Sequence, residues 1–327
     1  MHDFVAIGDI VTDAFIKLKD ASVNCDVNNE HCTITMSFSD KVPYESVDVV
    51  RAVGNSSNAA VAASRLGLNS ALVTNMGDDA NGRECLDVLK NEGISLEFVD
   101  IHKGLETNYH YVLWYGDDRT ILVKHQKYPR RLPDIKRPKW LYLASLGGDT
   151  LEYHGEIIEY IKNHKDVKLA FQPGTFQMKA GYEAFKEIYQ NCQIFFCNTE
   201  EAERILGVTD LKIEEVLEKM RALGPKIVVI TEGPKGLYAF DGENKIFLPA
   251  YPDPKPPLER TGAGDALAST TVAALALGKT LEQALMWGLV NSMSVVQQVG
   301  AQKGLLTREK IEEYLNNCPQ EFKTKKL

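Results

Sequence analysis

The 327-residue sequence has no run of about 18 apolar residues free of charge, which is the length that a membrane-spanning helix needs. Its start, Met-His-Asp-Phe-Val-Ala-Ile, lacks the basic segment and the long apolar stretch of an export signal. Basic residues are also too few for a general binder of nucleic acids or anionic membranes, because the formal net charge is -8 at pH 7. These absences predict a cytoplasmic protein with no nucleic-acid and no membrane partner, in which any phosphate-binding site must create its positive field locally.

Cysteine is sparse, with six residues in the chain, a density too low for a disulfide scaffold. Cys25 and Cys32 flank Asn28 and Asn29, and a two-residue turn there would bring the two thiols opposite each other on a hairpin, with His31 adjacent. A zinc site would need a fourth ligand, which the surrounding sequence does not offer. We therefore expect two reduced thiols, as in a reducing cytoplasm.

Strand-like and helical segments alternate along most of the chain. Residues 4–10 are mostly apolar, which is typical of a buried parallel strand. Further strand-like runs lie at 71–75, 140–145, 167–172, 193–197 and 226–231. Helical patterns lie at 55–66, 82–92, 151–163, 181–190, 200–206, 213–222, 263–277, 281–297 and 307–316. This alternation predicts one α/β domain over residues 1–327, a doubly wound, mostly parallel sheet flanked by helices.

Three segments break this pattern, because apolar and polar residues alternate at 31–38, 109–114 and 120–125. We expect them to form half-exposed antiparallel strands of a small second sheet, built from about 14–52 and 104–128, that acts as a lid. A thin sheet cannot bury apolar side chains such as Ile34, Met36 and Phe38 by itself. The lid is therefore expected to close over a substrate or to form a homodimer.

The segment Thr261-Gly-Ala-Gly-Asp-Ala-Leu-Ala268 carries the strongest chemical signal, because a turn of small residues leads directly into an apolar helix. Gly262 and Gly264 would let a ligand approach backbone amides at a helix N-terminus, where the helix dipole favours negative charge. Asp265, in the first helical turn, could accept the proton of a substrate hydroxyl beside a phosphate group. The alternative is a tight turn with an acidic helix start, and the segment alone does not decide between the two.

Other segments provide the context for that turn. They are Gly8-Asp-Ile-Val-Thr-Asp13, Gly54-Asn-Ser-Ser-Asn58, Gly77-Asp-Asp79 with Gly82, Asn198-Thr-Glu-Glu201, Thr231-Glu-Gly-Pro-Lys-Gly236, Glu259-Arg-Thr-Gly-Ala-Gly-Asp265, and Asn291 with Gly300-Ala-Gln302. In type and in order they resemble the motifs of the ribokinase-like, or phosphofructokinase-B type, carbohydrate kinase family. The resemblance spans almost the whole chain, and it implies a ribokinase-like fold and a kinase that transfers the γ-phosphoryl group of ATP to a hydroxyl of a sugar.

The resemblance also implies roles for individual residues. Asp265 would be the catalytic base, and the amides of Gly262, Ala263 and Gly264 would form an anion hole. The nucleotide would be bound by Asn198, Glu201, Thr231, Gly233, Gly236 and Asn291. Asn198 and Glu201 would also hold Mg²⁺, largely through water. The substrate hydroxyls would be bound by Asp13, Gly54, Asn55 and Asn58. Many relatives have a monovalent-cation site at the positions of Glu259 and Thr261, so K⁺ is an optional further cofactor.

The sequence departs from the family pattern at several positions. Asn55 stands where ribokinases carry a lysine, and Arg260 replaces a small residue. The basic cluster from Lys124 to Lys139 is expected to be a solvated loop. The functional alternative is that Lys124 or His125 reaches over the substrate from the lid and supplies the charge that is missing at Asn55. These departures argue against ribose itself as the substrate.

The sequence leaves three functions open. The first is an ATP-dependent carbohydrate kinase, and the second is a nucleoside kinase of the same family. The third is a sugar or nucleotide sensor without catalytic activity. The sequence argues against a sensor, because a sensor does not need the catalytic set of Asp265, Gly262, Gly264, Asn198 and Glu201. The sequence identifies neither the sugar nor the hydroxyl that is phosphorylated.

Overall fold

A computed structural model of the protein describes residues 1–25, 32–116 and 118–327. The strands within these residues are β1 (Phe4–Ile7), β2 (Val11–Leu18), β3 (Ser22–Cys25), β4 (Cys32–Thr35), β5 (Tyr44–Val53), β6 (Ser70–Gly77), β7 (Val99–His102), β8 (Tyr109–Tyr115), β9 (Asp118–Leu122), β10 (Trp140–Leu143), β11 (Lys168–Phe171), β12 (Cys192–Asn198), β13 (Ile227–Thr231), β14 (Gly236–Phe240), β15 (Lys245–Pro249) and β16 (Lys325–Lys326). The helices are α1 (Asn55–Arg65), α2 (Ala80–Asn91), α3 (Leu151–Asn163), α4 (Thr175–Ala180), α5 (Tyr182–Asn191), α6 (Thr199–Leu206), α7 (Ile213–Ala222), α8 (Ala263–Ala276), α9 (Leu281–Val295) and α10 (Arg308–Asn316). None of these described helices is both long and apolar enough to cross a membrane.

The large central sheet has the strand order β16-β15-β14-β13-β12-β11-β10-β1-β6-β7. Neighbours from β13 to β7 run parallel, whereas β14, β15 and β16 extend one edge in antiparallel fashion. Strand β1 is buried over its whole length, as expected for a central parallel strand covered by helices on both faces. The predicted doubly wound, mostly parallel sheet is confirmed.

Helices cover both faces of this sheet. One face packs against α1, α2, α8, α9 and α10, and the other against α3, α5, α6 and α7. The neighbouring helices α1 and α8 bury mostly small side chains, including Ala59, Ala63 and Ala266. Small residues allow two helix backbones to approach closely, and this contact brings the start of α1 beside the start of α8.

A second, smaller sheet has the strand order β5-β2-β8-β9. The pairs β2/β5 and β8/β9 are antiparallel, as expected, but β2 and β8 run parallel. The predicted antiparallel strands at 109–114 and 120–125 are confirmed as the pair β8/β9. The prediction that 31–38 joins this sheet is wrong, because β4 pairs with β3 in a separate two-stranded sheet. Residue 117, within the predicted turn at 116–119, lies outside the described part of the chain.

Strands β3 and β4 form a separate antiparallel hairpin, in which Cys25 and Cys32 are paired. The two cysteines are joined by a disulfide bond, so the expectation of reduced thiols is wrong. Direct cross-strand neighbours are close enough to be bridged, whatever the low cysteine content of the chain. The predicted turn residues Asn28 and Asn29, and His31, lie outside the described residues. Strand β4 ends at Thr35, short of Met36 and of Phe38, which is 99% exposed.

Candidate active site

The predicted catalytic segment lies at the edge of the sheet where the parallel strands end. Asn198 and Thr231 are the last residues of β12 and β13, and Gln172 directly follows β11. Helices α1 and α8 begin at the same edge. Carboxyl ends of parallel strands are where α/β sheets bind ligands, because loops and helix N-termini converge there.

Asp265 is the third residue of α8, and its carboxylate is held by three side-chain amides. Asn55 and Gln172 donate to Oδ1 at 2.8 and 3.1 Å, and Asn58 donates to Oδ2 at 2.8 Å. Gln172 is itself fixed, because Tyr142 donates its hydroxyl to the Gln172 Oε1 atom at 2.5 Å. Both carboxylate oxygens are therefore oriented before any ligand binds.

The environment of Asp265 acts on its pKa in two directions. Burial raises the pKa of the carboxyl above its ordinary value, and this effect outweighs the lowering by the hydrogen bonds from Asn58, Gln172 and Asn55. The positive charge of Arg119, on β9 of the small sheet, also lowers it. A carboxylate with a raised pKa is a better proton acceptor than an ordinary aspartate.

The glycines before Asp265 differ in what surrounds them. Gly262 caps α8 with φ +81°, and a Cβ atom there would lie 2.3 Å from the Ala301 Cβ atom. A Cβ atom at Gly264 would meet only the Gln172 Nε2 atom, at 3.9 Å, and Gly264 is exposed. Gly262 is thus required by the fold, whereas Gly264 leaves space for a ligand beside the first-turn amides of α8.

Glu259 ties that turn to the segment around Gly300. Its carboxylate is buried and accepts the Thr261 amide at 2.7 Å and the Gly300 amide at 2.9 Å. The Thr261 hydroxyl oxygen is buried without a hydrogen-bond partner among the described residues. The two positions predicted for a monovalent cation are therefore adjacent, and one of them has an unsatisfied oxygen.

Gln302 links the same segment to the start of α1. Its amide donates to the Ala52 carbonyl at 2.7 Å and to the Asn58 Oδ1 atom at 3.0 Å. Since Asn58 donates in turn to Asp265, Gln302 fixes the Asn58 amide with its nitrogen facing the carboxylate. Sequence reasoning quoted Gln302 only as part of a motif and did not foresee this contact.

Asn198 and Glu201 form a capping box at the start of α6. The Asn198 side chain accepts the Glu201 amide at 2.8 Å, and the Glu201 carboxylate accepts the Asn198 amide at 2.9 Å. Burial raises the pKa of Glu201. Only the Oε2 atom is used by the box, which leaves the second carboxylate oxygen available for another ligand.

A cavity of about 700 Å³ lies beside the turn of residues 261–264, which is predicted to form the anion hole and is called the anion-hole turn below. Its lining includes the predicted residues Asn198, Thr231, Gly233, Gly236, Ala263 and Gly264. Its apolar part includes Tyr251, Leu267, Leu289, Met293 and Val296. A mixed surface of this kind, with backbone amides at one end, suits a base and ribose followed by a phosphate chain.

Asn291 does not line this cavity, so its predicted contact with the nucleotide needs correction. Its side chain is 0% exposed, donates to the Thr270 hydroxyl at 2.7 Å and accepts the Leu306 amide at 2.8 Å. These bonds use its amide to join α8, α9 and the segment before α10. The geometry gives Asn291 a packing role.

Asp13, at the start of the small sheet, belongs to a group of polar side chains that sequence reasoning largely missed. We call Asp9, Asp13, His110, His125 and Arg130 the histidine–carboxylate cluster. His110 Nδ1 lies 3.5 Å from Asp13 Oδ1, and His125 Nδ1 lies 3.8 Å from Asp9 Oδ2. Arg130 donates to Asp9 Oδ1 at 2.5 Å. Burial lowers the pKa of His125, which favours its neutral form.

Four atoms of this cluster are buried without a hydrogen-bond partner among the described residues. They are Asp13 Oδ1, His110 Nε2, His125 Nδ1 and Arg130 Nη1. Unpaired buried polar atoms are costly and are concentrated at functional sites. The cluster lies near the start of α1, because β2 pairs Val11 with Val53, and Gly54 packs against the Asp9 carbonyl.

Lys124 points elsewhere. Its ammonium group pairs with Glu106 at 2.6 Å, and its side chain is 70% exposed. It lies two residues beyond β9 and lines a different cavity of about 460 Å³, together with Tyr109 and Tyr111. Of the two residues proposed from the sequence, it is His125 that turns inward.

The chain is similar to known proteins over most of its length. A family model described as pfkB family carbohydrate kinase matches residues 22–308. A ribokinase of Bacillus subtilis is 28% identical over 272 residues, which cover 80% of this chain and 87% of that protein. A nucleoside kinase of Methanocaldococcus jannaschii is 26% identical over 266 residues, covering 80% and 84%. The structure of Arabidopsis thaliana ribokinase complexed with ribose and ATP superposes with a TM-score of 0.79 at 19% identity, covering 96% of this chain and 98% of that one.

Proposed function

Because the chain belongs to the pfkB family of carbohydrate kinases, whose members are ATP-dependent phosphotransferases, we propose that it phosphorylates a hydroxyl of a small sugar with Asp265 as the base. The observation that carries this proposal is the set of three amides around the Asp265 carboxylate. They orient the carboxylate at the N-terminus of α8, where the phosphoryl group would arrive, and they favour its ionised form.

The proposed reaction has a simple balance. The substrate oxygen attacks the γ-phosphorus of ATP, its proton passes to an Asp265 oxygen, and the bond from the γ-phosphorus to the bridging oxygen breaks to release ADP. The first-turn amides of α8, including that of Gly264, would stabilise the negative charge on the transferred group. Asn55 and Asn58, which donate to Asp265, have side-chain oxygens and nitrogens of the kind that bind vicinal hydroxyls.

Mg²⁺ is part of the proposal. The free oxygen of the Glu201 carboxylate fits the oxygen-rich coordination that Mg²⁺ prefers. Its capping partner Asn198 lines the cavity, whereas Glu201 itself is not among the described lining residues. The ion would neutralise phosphate charge, and Glu201 would orient it largely through water. K⁺ is a further candidate at Thr261 and Glu259, supported by the unsatisfied Thr261 hydroxyl oxygen. Turnover measured in K⁺ against tetramethylammonium tests that site.

A nucleoside kinase is the second candidate. A named nucleoside kinase matches the chain about as extensively as the ribokinase does. An aromatic ring is also present next to the histidine–carboxylate cluster, since Phe176 is 42% exposed and contacts the His125 ring edge-on. The sugar is preferred because hydroxyls, which both donate and accept hydrogen bonds, would satisfy the four unpaired polar atoms of the cluster.

We also propose that the small sheet is a lid and that it carries a homodimer contact. The row Val49, Ala14, Tyr111 and Leu122 crosses all four strands in register. Val49, Tyr111 and Leu122 are 39%, 48% and 51% exposed, which is apolar surface that a second copy would cover. Light scattering that finds only a monomer at micromolar concentration contradicts the dimer and leaves lid closure unaffected.

The cytoplasm remains our proposal for the site of action, because ATP is supplied there. The Cys25–Cys32 disulfide is the feature that does not support it. Thiol labelling of protein isolated under acid quench shows which redox state is present in the cell.

The experiment that tests the function is a coupled ADP-release assay over pentoses, hexoses, sugar phosphates and nucleosides. We expect turnover on a sugar and a product with one phosphate ester. Turnover confined to nucleosides selects the second candidate, and ATP binding without turnover on any class contradicts both.

A further inference from the structure

The proposed nucleotide cavity has an unusual charge balance for a site that binds a polyphosphate. Three carboxylates, those of Glu200, Glu232 and Asp253, are among its described lining residues. The only lysine or arginine in that lining is Arg260. Lys235 is nearby in sequence, but its ammonium group is engaged by Glu232 at 2.6 Å. ATP brings several negative charges, of which the proposed Mg²⁺ would neutralise a part, so the acidic lining still favours a further cation beside the phosphates.

Arg260 is well positioned to be that cation. It directly precedes the turn of Thr261 to Gly264, and its carbonyl accepts the Ala263 amide at 3.5 Å. Its backbone is therefore part of the turn that forms the anion hole, and the cavity wall includes both Arg260 and Gly264. A guanidinium group attached at this point can reach a phosphate group bound beside the turn.

The Arg260 side chain is also free to bind a ligand. It is exposed, and none of the described carboxylates lies within ion-pair distance of it. Its charge acts on the neighbouring Asp253: partial burial raises the pKa of Asp253, and Arg260 counteracts this without a direct bond. An exposed, unengaged arginine on a cavity wall is suited to bidentate binding of phosphate oxygens.

We propose that Arg260 binds the phosphate chain of the nucleotide and supplies the positive charge that the other side chains of the cavity lack. The inference rests on the proposed kinase function, and it assigns a role to a position where the family pattern has a small residue. With a net charge of -8 the protein has no general positive field. Arg260 and the N-terminus of α8 would create a positive field locally, at the phosphates.

The test compares nucleotides with and without phosphates. The affinities of ADP and adenosine are measured by calorimetry for the wild type, Arg260→Gln, Arg260→Lys and the control Lys255→Gln. Lys255 is exposed on the same connecting segment and does not line the cavity. We expect Arg260→Gln to weaken ADP binding by about tenfold or more, as for loss of a hydrogen bond to a charged group. Adenosine binding and the melting temperature should stay unchanged, and Arg260→Lys should fall in between.

The salt dependence gives a second readout, since removing one phosphate contact lowers the slope of ADP affinity against ionic strength. ADP affinity of Arg260→Gln within about twofold of the wild type, the level expected of Lys255→Gln, overturns the inference. Equal weakening of ADP and adenosine also overturns it, because Arg260 would then shape the cavity only. A wild-type protein that binds neither ADP nor ATP contradicts the kinase function itself, which is a different outcome.

Discussion

The Asn58 side chain donates a 2.8 Å hydrogen bond to the Asp265 carboxylate across the contact between α1 and α8, although 207 positions separate the two residues. The bond joins a residue expected to bind substrate to the residue expected to accept its proton. The packing of small residues between the two helices makes it possible. The site is thus a property of helix packing as much as of the motif that contains Asp265.

Asp265→Asn should nearly abolish phosphoryl transfer and leave ligand binding largely intact. Loss of a general base typically lowers the rate by about 10² to 10⁴. Asparagine keeps the shape of the side chain and one hydrogen-bonding oxygen, and the anion-hole amides are unchanged. Turnover and ADP affinity are to be measured on the same preparation. A variant that retains more than about a tenth of wild-type turnover, well above the general-base range, makes Asp265 a helix-start residue.

The acid limb of the pH–rate profile should lie above the ordinary titration range of an aspartate. Burial raises the pKa of Asp265, and the base must be unprotonated, so activity is lost as pH falls through that raised value. Gln172→Leu removes a donor that stabilises the ionised carboxylate and should move the acid limb to still higher pH. Gln190→Leu, on the exposed face of α5, serves as the control. An acid limb that stays in place in Gln172→Leu argues that another group controls it.

Glu201→Gln should raise the Mg²⁺ concentration needed for half-maximal activity and lower turnover, with the melting temperature nearly unchanged. Glutamine can still accept the Asn198 amide, so the capping box survives while the negative charge is lost. Glu201→Ala removes both the capping contact and the negative charge, and it should also lower the free energy of unfolding by about 1 kcal/mol, as is typical of a lost cap. If Glu201→Gln melts earlier and keeps its Mg²⁺ dependence, the acidic residue is structural.

The two glycines of the anion-hole turn should respond differently to the same substitution. Gly264→Val should damage ADP binding and turnover with little change in melting temperature, because the new side chain points into ligand space. Gly262→Val should lower the melting temperature, because the position has φ +81° and lies against Ala301. Equal thermal destabilisation by both substitutions contradicts the assignment of Gly264 to ligand binding.

Much of the fold was predictable because hydrophobic patterns and turn residues are local. The helices predicted at 151–163 and 213–222 have the same bounds in the structure. Short or exposed elements were missed, such as α4 and the antiparallel edge strands β14, β15 and β16. Strand formation depends on tertiary pairing more than on local propensity, so the patterns of these antiparallel strands are weak although Leu237, Ala239 and Leu248 are fully buried.

The site was predictable only where one motif contains it. The Arg130–Asp9 contact spans 121 positions and the Gln172–Asp265 contact spans 93, so no spacing within a motif predicts either contact. Asn291 shows the opposite error, because a motif match predicted a role that its position does not support. The match implied contact with the nucleotide, but it gave no information on whether the side chain would be buried against α8. The sequence does place Cys25 opposite Cys32 on a hairpin, but the disulfide was missed because the low cysteine density favours reduced thiols.

Gln302 connects the affinity for the sugar to the affinity for the nucleotide. It bonds to Asn58 on the substrate side, and its segment is tied through Gly300 to Glu259 and the anion-hole turn. A nucleotide that shifts this segment must also shift the amide that orients Asn58. Thermodynamic linkage then makes the effect reciprocal, so each ligand should tighten or loosen the other by the same factor. Sugar affinity measured at zero and at saturating ADP, in the wild type and in Gln302→Leu, measures that factor; it should approach one in the variant.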